Sequence, residues 1–300
     1  PPTGAVLARR LALLLQPGAV QRLAPHRLGW RSFALRHPSI AAAACILLPN
    51  AILALCNFLY NHRLLLAIYA SPPHLPMRAV FDAAFLRVSA VVNALSFPLG
   101  VLLVWYFTRD VARLLGNPRP HGSGFRSAAK ARNVRLALLV LGDTAAWIGV
   151  AVWIASGVAF PMALSALVGP LPDEVPWLFM RSPLACGLLA ASYPFFLTTL
   201  LVLRVYYPSL LLTNDESGST ADEEDSLRRL ARRSGLYLLV AAGVPLATLA
   251  MLIVFHGAMD RTWLALLTLA GLLGLAFATW ARQAIEVAVA GLLAAGRPLE

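Results

Sequence analysis

Six stretches of the chain are almost continuously apolar: Ser39–Tyr60, Ala84–Phe107, Leu136–Phe160, Pro183–Leu203, Leu236–Phe255 and Thr262–Ala281. About 20 mostly apolar residues are the length of a helix that crosses a bilayer, so each stretch predicts a membrane span. The third is ambiguous, because its apolar character runs on to Val168. That is too long for one straight span and too short for two. We expect one helix that breaks near Pro161 and ends in an interfacial segment.

The polar stretches between these runs differ in kind. Residues 1–38 contain Leu7, Leu11, Leu14 and Leu15 at helical spacing, with Arg9 and Arg10 between them. This is the pattern of an interfacial helix on an anionic leaflet, or of the edge of a soluble domain. The stretch "PGAVQRLAPHRLGWRSFALRHP" then reads as a proline-punctuated linker. In "TNDESGSTADEEDSLRRLARRSG", the acidic run Asp215–Asp225 reads as a solvated linker before a basic helix start at Leu227–Arg233. A docking or regulatory role, with Ser217, Ser219 and Ser226 as phosphate acceptors, is the sharper alternative. Beyond the last span, Ile285, Val289, Leu292 and Leu293 share one face, so the helix is expected to run on into a short tail, residues 282–300, stopped by "GRPLE".

Composition strengthens the membrane reading. The 300 residues are 59% hydrophobic and 13% charged, and the mean hydropathy is +0.71. Soluble domains are nearer 45–50% apolar and about 25% charged. The formal net charge of +11 would fit a nucleic-acid binder in a soluble chain. Here the charge sits in short loops beside apolar runs and no aromatics interleave with a basic groove, so no nucleic-acid partner is expected. If the six runs are spans, twenty Lys and Arg lie in one set of alternate compartments and four in the other, with Arg87 near the start of span two. The positive-inside rule then places both termini in the cytoplasm of a cell inner membrane. The loops fall at 108–135 and 204–235 on that side, and the transmembrane domain at 39–281. The opening "PPTGAVLARR" has no Met and no signal-peptide pattern, which points to a fragment of a longer product.

Candidate chemistry is confined to a few polar residues inside the spans. Asn50, Asn57 and Asn61 fall on one helical stripe. Asn93 and Ser96 lie in span two, and Asp143 and Thr144 in span three. A side-chain amide in hydrocarbon needs a partner, and Asn50 with Asn93 is the expected interhelical pair, contributing about 0.6–2 kcal/mol. The alternative is a polar cavity for a ligand or ion. Asp143 is the one acid well inside a span, but it follows Arg135 by about 12 Å of helix and can reach a cytoplasmic Arg or water. Pro49, Pro98, Pro161, Pro194 and Pro245 mark the first five spans. Neighbours can satisfy the carbonyls they free, giving an irregular, deformable bundle. Cys45, Cys56 and Cys186 lie in apolar runs without ligand spacing, and His26, His37, His62, His74, His121 and His256 are placed in loops or at interfaces. No catalytic, cofactor or metal residue is assigned.

The stretches "LLPNAILALCNFLYN", "FLRVSAVVNALSFPLG", "GVAFPMALSALVG", "RSPLACGLLAASYPFFLTTLLVLRVYYPSLL" and "LRRLARRSGLYLLVAAGVPL" resemble the six-span membrane region of bacterial eukaryotic-like serine/threonine protein kinases. They are also similar to membrane regions of class III adenylate cyclases. The resemblance covers residues 45–255, and "LARRLALLLQPGAVQRLAP" is similar to the segment on the C-terminal side of the kinase domain in such proteins. It implies a cytoplasmic kinase domain in cis, before residue 1. No HRD, DFG, APE or glycine-rich phosphate loop and no cyclase domain lies in these residues, so they carry no catalytic motif of their own. The expectation is therefore an all-α, six-helix membrane bundle that anchors and senses for a signalling enzyme, a kinase or, alternatively, a cyclase. A homodimer is compatible with this reading. A small transporter is the rival class, on its broken helices and midplane polar groups.

Overall fold

The computed structural model describes residues 29–68, 75–116, 125–213, 221–255 and 261–296. Helix α1 is Trp30–Arg36, α2 Pro38–Ile68, α3 Arg78–Gly116, α4 Phe125–Leu139, α5 Leu141–Val168, α6 Glu174–Leu201, α7 Tyr207–Thr213, α8 Ala221–Phe255 and α9 Arg261–Gly296. A 3₁₀ turn precedes α3, and a π turn at Val202–Tyr206 joins α6 to α7. No strand occurs among the described residues. Six segments are long and apolar enough to cross a membrane: Pro38–Arg63, Arg78–Leu114, Leu141–Val168, Val175–Leu211, Ala221–Ala250 and Thr268–Ala294. This is the all-α, six-span architecture expected, and it is that of a multi-pass membrane protein.

One helix organises the rest. About 72% of the most apolar window of the α6 span is buried, against 11–22% for the other five. Helix α6 packs on α2, α5, α8 and α9. Phe195 and Phe196 of α6, with Tyr206 and Tyr207 just beyond it, are fully enclosed. The outer helices turn Leu48, Leu95, Trp147, Met162 and Leu239 outward, as a bundle dissolved in lipid does. Apolar burial gives little drive between helices in that solvent, so close contacts and hydrogen bonds hold them. Glycine makes two of those contacts. A Cβ on Gly187 of α6 would lie 2.7 Å from Cβ of Trp153, and one on Gly157 of α5 3.0 Å from the Phe179 carbonyl oxygen of α6.

Several boundaries differ from the sequence reading. Helix α5 does not break at Pro161, which lies inside it. The residue four before that proline is Gly157, pressed against α6. That packing carries the helix through a position where propensity alone would end it. The interruption lies instead at Val140, so Leu136–Leu139 belong to α4. There the chain turns to seat Gly142 against Phe195 and Thr199 of α6. The linker before span one contains α1, whose Ala34 is in the core. The acidic run is a linker only in part, because Ala221–Asp225 open α8 and Glu223 is fully buried. Residues 282–296 continue α9, as the shared face of Ile285, Val289 and Leu292 predicts: these three pack into the core, while Glu286 is exposed. His62 is helical and falls within the first span, at its end. The Leu7–Leu15 stretch, Asp215, Ser217, Ser219, His26, His74, His121 and His256 lie outside the described residues.

Candidate functional site

Helices α2, α3, α5 and α6 form a ring. Each packs on the next (α2 on α3, α3 on α5, α5 on α6, α6 on α2), while neither diagonal pair is closely packed. A cavity of about 180 Å³ occupies the centre of that ring. Four of the five sequence candidates line it: Asn50, Asn57, Asn61 and Asn93. The α2 stripe read from spacing is therefore a wall of this cavity.

The pairing of those amides is not the one expected. Asn50 and Asn93 do not bond each other. Asn50 Nδ2 donates to the Ile46 carbonyl at 2.8 Å, and its Oδ1 accepts Trp153 Nε1–H at 3.0 Å. Asn93 Nδ2 donates to the Ser89 carbonyl of its own helix at 2.8 Å. The reason is geometric. Trp153 reaches across the ring from α5, over the bare backbone of Gly187, and takes the acceptor that Asn93 was expected to use. At the other end of the stripe, Asn61 Nδ2 donates to Asn57 Oδ1 at 3.1 Å, and Ser182 Oγ of α6 donates to Asn61 Oδ1 at 3.1 Å. The α2 amides thus tie α2 to α5 and α6 and are largely satisfied within the protein.

The α3 wall is different. Ser89, Asn93 and Ser96 line the cavity at intervals of four and three residues, on one helical face. Among the described residues, neither the hydroxyls of Ser89 and Ser96 nor Asn93 Oδ1 has a hydrogen-bond partner. The remaining wall is largely apolar and aromatic, with Phe58, Phe85, Phe160 and Phe179. The Phe160 and Phe179 rings stack at 4.7 Å. No Lys, Arg, His, Asp or Glu is among the described lining residues.

Asp143, the fifth candidate, does not line the cavity. It accepts Arg233 Nη1–H at 2.8 Å and Tyr237 Oη–H at 2.9 Å, both from α8. The expectation that a basic residue would reach it holds, and that residue comes from the Arg-rich start of α8. Its neighbour Thr144, however, lines the cavity. Two further pairs join α4 to the start of α8: Arg132 with Asp222, and Arg135 with Glu223 at 2.9 Å, both of the latter fully buried. Together these contacts clamp the α4–α5 elbow to α8. Sequence reading missed the buried pair because it placed Glu223 in a solvated linker. The available signal was the spacing of Leu227 and Leu230 behind Glu223, which puts all three on one face. At the opposite end of the bundle, His62 Nε2 lies 2.6 Å from Asp82 Oδ1, and the His62 ring stacks on Phe58 and Phe85. That contact was also unforeseen.

Fold and site together define a polytopic helical membrane protein with a neutral, mid-span cavity and an ionic clamp at one end. Comparison with protein-family models, with curated proteins and with solved structures returned no match to the chain.

Proposed function

We propose that the chain is the membrane-anchoring and sensing module of a bacterial signalling enzyme. In this reading it is the C-terminal membrane part of a serine/threonine protein kinase, in the inner membrane with both termini cytoplasmic. A class III adenylate cyclase is the alternative partner in cis. The charge asymmetry of the loops and the resemblance of residues 45–255 support this reading. One structural observation carries the sensing part: Thr144 lines the cavity while the adjacent Asp143 holds Arg233 and Tyr237 of α8. A change in the cavity that turned the first turn of α5 would load or release the clamp. The clamp lies at the end of the bundle that the loop charges assign to the cytoplasm.

A small transporter is the second reading, favoured by mid-span polar groups in helices that contain Pro49, Pro98 and Pro161. Against it, α8 and α9 contribute no described residue to the cavity wall. Sequencing the transcript upstream of Pro1 and downstream of Glu300 separates the readings. A kinase or cyclase frame joined to these residues supports the signalling module. An independent start and stop bracketing them contradicts it and favours the transporter. Within a joined product, Asn50→Leu is expected to alter coupled catalytic output, because it removes the acceptor of Trp153. Unchanged output and folding would deny that contact a signalling role.

A further inference from the structure

The cavity wall defines the chemistry of what it binds. Its volume of about 180 Å³ is slightly larger than an engineered cavity of about 150 Å³ that holds benzene, so it matches one substituted ring. With no charged side chain among its described lining residues, an ionic head would enter without a counter-charge, which is strongly unfavourable. A purely apolar guest would leave Ser89, Ser96 and Asn93 Oδ1 unsatisfied. Those groups stand in one row on α3. Phe58, Phe97 and Phe160, which line the cavity and are only partly buried, supply flat surfaces for a ring. Lining residues of both α3 and α5 reach the outer surface, and Val152 of α5 is among those exposed there. The cavity therefore opens sideways, between two helices that face lipid. A carboxamide such as Asn93 near such a mouth is costly in hydrocarbon unless a polar group covers it.

We propose that this cavity is a binding site for an uncharged, lipid-dissolved molecule with a single oxygen-bearing ring as its head, the chemistry of quinones and quinols. The ring sits among the phenylalanines, and its tail leaves between α3 and α5. A quinone's carbonyl oxygens accept from the Ser89 and Ser96 hydroxyls and from the amide hydrogen that Asn93 Nδ2 does not give to Ser89, and a quinol's hydroxyls donate to Asn93 Oδ1. The inference names the ligand class of the sensing reading above and rests on that reading only for its biological use.

The test uses the full 300-residue chain in phosphatidylcholine nanodiscs, with binding read as saturable quenching of tryptophan fluorescence by a decyl-tailed benzoquinone. Decylbenzene, with a six-membered ring of similar size and no oxygens, and 4-decylbenzenesulfonate, with a permanent charge, are added as competitors. The expected result is saturable quinone binding, with both competitors at least tenfold weaker. Asn93→Leu should weaken quinone binding at least tenfold while leaving thermal stability unchanged, since it removes no interhelical bond. Ala54→Phe, which fills the cavity from α2, should abolish binding. If Ala54→Phe does not fold, Asn93→Leu alone decides. Non-saturable partition, an equal affinity for decylbenzene or the sulfonate, or full binding by Asn93→Leu overturns the proposal. Quinone binding without any effect on a linked catalytic domain would leave the ligand class standing and remove the sensing role. Catalytic coupling that is disturbed by cavity variants but indifferent to quinone would do the reverse.

Discussion

At one end of the bundle, Arg135 and Glu223 face each other with no exposure to solvent, flanked by Arg132–Asp222 and Arg233–Asp143. In the middle, four asparagines share a cavity whose described wall is charge-free. Both regions join helices through polar contacts, but they respond differently to loss of a partner. A buried ion left alone costs several kcal/mol. A neutral amide left alone in a membrane bundle costs about 1 kcal/mol, because the unfolded chain in lipid also finds it partners. The clamp is therefore sensitive to the loss of either partner alone, at the point where α4 turns into α5. The cavity is a place where side chains can exchange partners at modest cost, as a ligand site requires.

The sharpest way to break this contrast is at Glu223. Glu223→Leu strands the buried Arg135 and is expected to destabilise the bundle by about 3–5 kcal/mol in detergent unfolding. The double variant Arg135→Met with Glu223→Leu should recover most of that loss. If the single variant is as stable as the parent, the pair is not buried in the membrane-embedded protein and the clamp dissolves. Next comes Gly187→Ala, which forces a methyl into the Trp153 side chain. The expected loss is about 1–3 kcal/mol by overpacking, with a changed Trp emission as the accompanying sign. Trp153→Phe removes the bond to Asn50, for a loss of about 1 kcal/mol. A double-mutant cycle with Asn50→Leu should show that the two effects are not additive. The smallest effect belongs to Asn93→Leu. Its amide donates only within α3, so the midpoint of thermal unfolding should stay put, and a large drop would mean that Asn93 joins two helices after all.

The difference between the two regions also explains what could be read from sequence. Six spans were legible because a bilayer imposes a length and a composition that no local preference can hide. The stripe Asn50–Asn57–Asn61 was legible because helical periodicity alone puts it on one face. The partner of Asn50 was not, since it depends on Trp153 reaching across a ring whose width is set by Gly187 and the α6 backbone. A tryptophan N–H inside a span needs an acceptor, and that was the clue to pursue. The clamp was hidden for another reason. Glu223 and Asp222 sit in a run of acids whose composition reads as solvated, and only the docking of α4 onto α8 buries one and exposes the other. The continuity of α5 through Pro161 comes from its packing on α6, which outweighs the local preference of proline to end a helix.

The mid-span cavity and the clamp communicate, on this account, through the first turn of α5. Under the signalling reading proposed above, the most direct test is the catalytic output, in nanodiscs, of a product in which a kinase or cyclase frame is joined to these residues, compared between the parent and Ala54→Phe, with and without a decyl-tailed benzoquinone. The account predicts that the quinone changes the output of the parent and that the filled variant no longer responds. Equal output from parent and variant under every condition, with both folded, would contradict it.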